Sequence, residues 1–346
     1  MTSAATAAEP STGAAERVEV VLGELAGGRP VVVLDDEDRE DEADLVFAAE
    51  CATPSLVAFA VRRTSGFLCV AITDERADEL RLPPMTPVNN DRHGTAHSVT
   101  VDAKCGVSTG ISATDRARTA SLLAAAGTTA SELVRPGHVV TLRARAGGVL
   151  TRRGHTEAAV DLTAMAGLRP AGGLCALVSN ADPTRMARGT EARAIAREHR
   201  LAVVSVDDVA TYRMQWQRVV ERGAEARLPL VAGTLQAIAY RSSLDDHEHV
   251  ALVPGHPGGG GRVPVHIHRE CALSVVATTR CACRTSLDAA IETVARRGEG
   301  VMLFVRSGPG LGTCAGSDAR EEQKINAVAE SILADLGVPE WSRISS

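Results

Sequence analysis

Through residues 16–215, short apolar runs alternate with stretches of helical spacing, a pattern that predicts a domain mixing sheet and helix. "RPVVVLDD" and "ADLVFAAE" read as strands flanking an acidic loop, since apolar blocks of this length bounded by polar residues suit buried strands. Helical spacing follows at "PSLVAFAVRR", a strand at "GFLCVAIT" and a helix at "SATDRARTASLLAAAG". "AGGLCALVSN" reads as a buried strand ahead of a helix through "EARAIAREHR", the strand "LAVVSV" and a closing helix from "DDVATYRMQW".

Residues 1–15, rich in Ala, Ser, Thr and Gly, read as a disordered leader ahead of the 16–215 domain. The charged stretch 216–228, just before Pro229, reads as a linker. A smaller second domain, 229–346, shows strand patterns at "LQAIAY", "HVALVPG" and "VPVHIH". Helical patterns follow at "SLDAAIETVARRG" and "DAREEQKINAVAESILADLGV", and "GHPGGGGR" is a loop by composition.

Composition narrows the function. Aromatic residues are only 2% of the chain, so Ala, Val and Leu must fill the core and base stacking has little material. A formal net charge of -6 argues against a nucleic-acid surface. No apolar run approaches membrane-spanning length, and the N-terminus lacks a secretory core. The eight cysteines are not spaced as the disulfide framework of a small secreted domain, which predicts a reduced, cytoplasmic protein.

Four stretches hold candidate chemistry. "VLDDEDREDEAD" offers carboxylate ligands of the kind Mg²⁺ takes, with Arg39 among them, although such runs are most often solvated faces. Residues 135–162 place His138 and His155 in what reads as a Gly- and Arg-rich loop entering a helix, where an anion can settle on the helix N-terminus. "CGVSTGISATDRA" is a second phosphate-cradle pattern, with an ordinary N-cap at Ser112 as the plainer reading. Cys271, Cys281 and Cys283 form C-x9-C-x-C, which leaves a zinc site and simple core or surface thiols equally open.

Six motifs of the first domain, in order, resemble 3,4-dihydroxy-2-butanone 4-phosphate synthase: "LDDEDREDEADLVFAAE", "SGFLCVAIT", "GVSTGISATDR", "RPGHV", "AGGVLTRRGHTEAAVDL" and "GLCALV". The resemblance implies an α+β fold with a mixed sheet, a homodimer, and conversion of the phosphosugar D-ribulose 5-phosphate into L-3,4-dihydroxy-2-butanone 4-phosphate and formate for riboflavin synthesis. It implies Mg²⁺ or Mn²⁺ held by Glu40 and His155. By position it assigns Arg39, Glu40, Asp44, Arg152, Arg153, Gly154, His155 and Thr156 to substrate, and His138, Cys69 and Glu42 to catalysis. Glu40, Glu42 and Asp44 alternate, as they would along one side of an extended segment, whereas Asp36, Glu37, Asp38 and Asp41 receive no role.

Two departures stand out. Where the family has Cys-Glu, this chain has Cys175-Ala176, and alanine can neither move a proton nor hold a hydroxyl. Ala43 takes the place of a usual glycine, which predicts strain if the turn needs positive φ there.

The second domain resembles GTP cyclohydrolase II, an α/β partner often fused behind the synthase. That resemblance implies Zn²⁺ on Cys271, Cys281 and Cys283, and it matches Asp318 and Arg320 to the family's Asp-x-Arg pair. It is degenerate: His266 stands for an arginine, "RSGPGLG" lacks a glutamate and an arginine, and the chain stops at Ser346 before a family Asn-Asn-Pro-x-Lys strand. The domain is therefore expected to support the first one rather than open GTP.

Overall fold

The acidic loop is the turn of a hairpin. Val31–Leu34 (β1) and Ala43–Ala48 (β2) pair antiparallel, with Leu34 opposite Ala43, and every residue of both strands is buried. The computed structural model describes residues 13–36, 38–244, 247–255, 257, 262–272, 281–306 and 319–344. Its contacts divide the chain into two units, before and after the Arg213–Met214 bond.

The remaining strands of the first unit are β3 (Cys69–Thr73), β4 (His97–Ala103), β5 (Leu133–Ala144), β6 (Ala171–Ala176) and β7 (Val203–Ser205). They build one mixed sheet in the order β4-β5-β3-β6-β2-β1-β7. Only β3–β5 and β1–β7 run parallel. Its helices are α1 (Ala14–Ala26), α2 (Pro54–Arg63), α3 (Asp74–Glu79), α4 (Ala113–Ala124), α5 (His155–Met165), α6 (Gly189–His199) and α7 (Val206–Trp216). Phe47, Val57, Leu68, Ile72 and Leu123 centre one apolar cluster, joining α2 and α4 to the sheet.

Helix α5 positions the site, and a glycine seats it. A Cβ on Gly172 of β6 would come within 2.7 Å of the Ala159 Cβ, so only glycine lets α5 lie this close to the central strand. As a result its first turn is buried, His155, Thr156 and Glu157 included.

The second unit is a six-stranded mixed sheet in the order β13-β11-β12-β10-β9-β8. Its strands are β8 (Val220–Leu230), β9 (Gly233–Ser242), β10 (Glu248–Val253), β11 (Val263–Arg269), β12 (Val301–Val305) and β13 (Trp341–Arg343). Helix α8 (Cys283–Arg297) packs Leu287, Ile291 and Val294 onto Leu235, Leu252 and Met302, and α9 (Ala319–Asp335) follows.

The structure revises several expectations. Residues 216–228 are largely strand: β8 pairs with β9, and its Glu221, Arg222, Glu225 and Arg227 sit on an exposed edge that tolerates charge. Ala14 and Ala15, expected in the leader, begin α1, while residues 1–12 lie outside the described residues. His138 and His155 do not share a loop, because His138 is on β5 and His155 opens α5. Ala43 is an ordinary strand residue, and the left-handed position of the turn falls on Asp41, at φ 53°. Among the described residues, no helix is long and apolar enough to cross a membrane, and the seven described cysteines form no disulfide.

Candidate active site

A cleft of about 190 Å³ opens where the N-terminus of α5 meets the β1–β2 turn and the end of β6. Arg39, Glu40, Glu42 and Asp44 line it from the turn and β2, Cys69 from β3, and Arg152, His155 and Thr156 from the start of α5. Of the acids, only Asp44 lies in a strand. Glu42 continues the ladder, its carbonyl accepting from the Asp35 N–H at 2.9 Å, so Glu42 and Asp44 alternate onto one side, while Arg39 and Glu40 come from the turn itself.

Asp35 organises the turn. Its Oδ2 accepts from the Glu40 backbone N–H at 3.0 Å and from Arg39 Nη1 at 2.7 Å. Arg39 Nη2 then sits 2.9 Å from Glu40 Oε1, and Glu40 Oε2 sits 3.6 Å from His155 Nδ1. On its far side the His155 ring donates from Nε2 to the Val33 carbonyl, 3.2 Å away, which orients the ring and leaves Nδ1 facing the acids. Asp35 Oδ1 is buried with no hydrogen-bond partner. One ligand atom each from Asp35, Glu40 and His155 lies within 4.8 Å of the others.

Charges are strongly coupled here. Burial opposes ionisation of Glu40, but its close contact with His155 and the charges of Arg39, His155 and His93 hold its carboxyl down at about 2. Burial likewise opposes charge on His155, and Asp44, Glu40 and Asp35 outweigh it, raising the imidazole to about 9. Burial, then the charges of Asp44 and Glu40, pushes Glu42 up. Asp44 is also raised, mainly by burial, against the pull of His155. Burial, with Asp44 and Cys175, keeps the Cys69 thiol protonated, so Cys69 is not a thiolate nucleophile in this state.

Gly154 caps α5 without a side chain, and a Cβ there would collide with the guanidinium of Arg152 and come within 3.0 Å of Arg39 Nη2. The glycine thus lets two cations converge at a helix N-terminus, an arrangement suited to a phosphate. Thr156 adds a hydroxyl in the same turn.

Two predicted residues are elsewhere. Arg153 does not line the cleft and instead pairs with Asp207 of α7. His138 is also absent from it; its Nδ1 lies 2.7 Å from Asp102 Oδ2, and its side chain is 41% exposed.

Residues outside the predicted set also line the cleft, among them Ser65, Thr95 and His97. Thr95 and His97 arrive from a polar, proline-rich stretch whose local pattern carried no signal. Asp35 was one acid of a run, and only its place at the end of β1 singles it out. Ala176 lies directly opposite Asp44 in the β2–β6 ladder and lines the cleft, so this strand end contributes no carboxylate.

In the second unit, the Cys271, Cys281 and Cys283 sulfurs also fall within 4.8 Å of one another, Cys271 being buried. Asp318 and residues 307–312 of the "RSGPGLG" segment lie outside the described residues.

Residues 19–212 match the family model of 3,4-dihydroxy-2-butanone 4-phosphate synthase, and residues 221–342 that of GTP cyclohydrolase II. Riboflavin biosynthesis protein RibBA of Nocardia farcinica is 50% identical over 331 residues, covering 95% of this chain and 80% of the relative. Its Mycobacterium tuberculosis counterpart is 48% identical over 335 residues, covering 95% and 79%. Among solved structures, RibBX, a two-domain 3,4-dihydroxy-2-butanone 4-phosphate synthase from A. baumannii, superposes with a TM-score of 0.76 at 31% identity, covering 95% of this chain and 94% of that one. A 3,4-dihydroxy-2-butanone 4-phosphate synthase in complex with two magnesium ions gives 0.55 at 43% identity, covering 57% and 97%. With its cleft, its mixed sheet and the matched length of both units, the chain belongs to the 3,4-dihydroxy-2-butanone 4-phosphate synthase family of riboflavin-biosynthesis lyases, in the form joined to a GTP cyclohydrolase II-like unit.

Proposed function

We propose that the first unit converts D-ribulose 5-phosphate to L-3,4-dihydroxy-2-butanone 4-phosphate and formate, with Mg²⁺ or Mn²⁺ as cofactor. The reaction balances without a co-reactant, the five carbons dividing into four and one. The observation that carries this reading is the joint cleft of Arg39, Glu40, Glu42, Asp44, His155 and Thr156.

The donor set fits a divalent cation: Asp35 Oδ1 is a buried oxygen with no protein partner, and an Asp35 carboxylate oxygen lies within 4.8 Å of ligand atoms of Glu40 and His155. Asp35, Glu40 and His155 would hold such a cation, which when bound would polarise adjacent hydroxyl and carbonyl oxygens of a sugar. Glu42 and Asp44, with raised carboxyls, hold or pass protons at the sugar hydroxyls. Cys69 offers a neutral thiol to the same space. The α5 N-terminus with Thr156 and Arg39 receives the phosphate.

We also infer a homodimer. His138, oriented by Asp102 and exposed, lies outside its own chain's cleft, so a catalytic part for it requires the cleft of a second copy. Purified protein with ribulose 5-phosphate and Mg²⁺ is expected to release formate and to stop on chelation with EDTA. Binding of the sugar without any formate refutes the assignment.

Ala176 favours a second reading, a repurposed sugar-phosphate lyase or isomerase, or a pathway-binding protein without turnover. Mg²⁺-dependent rearrangement of the sugar into another product supports the former.

For the second unit we propose a supporting role without GTP ring opening, since "RSGPGLG" lacks donors that a guanine and triphosphate site requires. The three clustered thiols suit zinc, with about one ion per chain expected by metal analysis. Cys281→Ser should lose it, and a zinc-free wild type prepared without chelator contradicts the site.

A further inference from the structure

Arg152 is assigned to the phosphosugar by position, yet most of its donors are engaged within the protein. Its Nε and Nη2 both donate to the His93 carbonyl, at 3.1 and 3.0 Å, and Nη2 also donates to Thr95 Oγ1 at 2.9 Å. Its Nη1 sits 2.5 Å from Glu157 Oε2. A guanidinium has five N–H donors, so about one remains, fewer than a bidentate phosphate grip uses.

Glu157 holds the other end. It is 1% exposed, and its Oε1 accepts from the Arg145 backbone N–H at 3.0 Å. A carboxylate this deep is retained only with such partners. Segment 85–97, which Arg152 grips, is stiffened from within. Asp91 Oδ2 accepts from the His93 and Thr95 N–H groups at 3.1 and 2.8 Å, and Asn89 Nδ2 donates to the Thr95 carbonyl at 2.9 Å. The Met85 N–H closes its base on the His97 carbonyl at 2.9 Å. The segment is a preformed tile, and its inner edge carries Thr95 and His97, which line the cleft.

We propose that Glu157 and Arg152 are positioning residues that fasten segment 85–97 over the cleft, setting Thr95 and His97 against the phosphosugar. This rests on the phosphosugar reading only for its kinetic consequence; the fastening itself is a property of the ligand-free protein.

Trypsin supplies the test, because Arg92 is exposed on the tile. Cleavage after Arg92, followed by mass spectrometry on ligand-free protein, should quicken about tenfold in Glu157→Gln, which keeps the shape and removes the charge-assisted bond. Cleavage at other arginines should move little. Thr95→Val, which leaves the buried carboxylate alone, should shift Arg92 cleavage in the same direction by less, and it decides the matter if Glu157→Gln does not fold. In the formate assay, Glu157→Gln should lower kcat with KM changed less than about threefold, as expected when a positioned group is lost rather than a phosphate grip. Unchanged Arg92 cleavage in both variants overturns the proposal, as does faster cleavage spread evenly over all sites. A failed formate assay with quickened Arg92 cleavage leaves the fastening standing and removes the substrate assignment instead.

Discussion

Ala176→Glu is expected to raise formate release from ribulose 5-phosphate by about a hundredfold or more, the usual contribution of one positioned acid–base group. The backbone at this position is already set. The Ser65 N–H donates to the Ala176 carbonyl at 2.8 Å, and the residue faces Asp44 across the β2–β6 ladder. A longer side chain there enters the cleft beside Glu42 and Asp44, where a sugar hydroxyl has carboxylates on one side only. The expected cost is electrostatic. A further acid beside two carboxyls already raised by burial and by neighbouring acids pushes all three up, so the gain should be largest above neutral pH. NMR of products from the wild type and the variant, run side by side, reads the result. Brisk wild-type turnover that the substitution does not improve means that Glu42 or Asp44 already performs the missing step, and it removes the case for a repurposed site.

Glu40→Gln should reduce turnover by about a thousandfold or more, as for a member of a catalytic unit, and should abolish its dependence on Mg²⁺. The substitution keeps the shape of the side chain but replaces an oxygen donor that Asp35 and His155 cannot replace by themselves. It also removes the charge that pairs with Arg39 at 2.9 Å. Glutamine leaves the 3.0 Å bond from the residue 40 backbone to Asp35 in place, so the turn should keep its shape and the melting temperature should fall only slightly. The same variant tests the homodimer. His138→Ala should also be inactive, yet an equal mixture of unfolded and refolded Glu40→Gln and His138→Ala chains should recover about a quarter of wild-type activity, because half the dimers are mixed and each mixed dimer has one intact site. No recovery from a mixture shown to exchange subunits means that His138 does not complete the partner's cleft.

Much of the fold was legible along the chain because its elements are locally consistent. "PSLVAFAVRR" is α2 residue for residue, with Thr53 capping it, and the strands around "VVVL" and "LCVAIT" are compact apolar blocks. The failures share a cause. β5 was hidden by arginines and glycines, since a strand with one exposed stretch carries charge there, and β8 was hidden as an edge strand rich in charge. Local composition cannot tell a charged loop from a charged edge, because what decides between them is the neighbour across the ladder.

The site divides in the same way. From residues and motifs alone came the acidic turn, the Gly-His-Thr entry to α5, the expected metal pair and the departure at Ala176. Only the tertiary structure could bring Asp35 beside Glu40 and His155, turn Arg153 away to Asp207, engage Arg152 with Glu157 and His93, and set Ala176 against Asp44. Each of these depends on pairing register or burial between segments tens of residues apart. The chain itself determines which donors and acceptors exist; strand order, the glycine that seats α5 and the exclusion of water decide which of them meet.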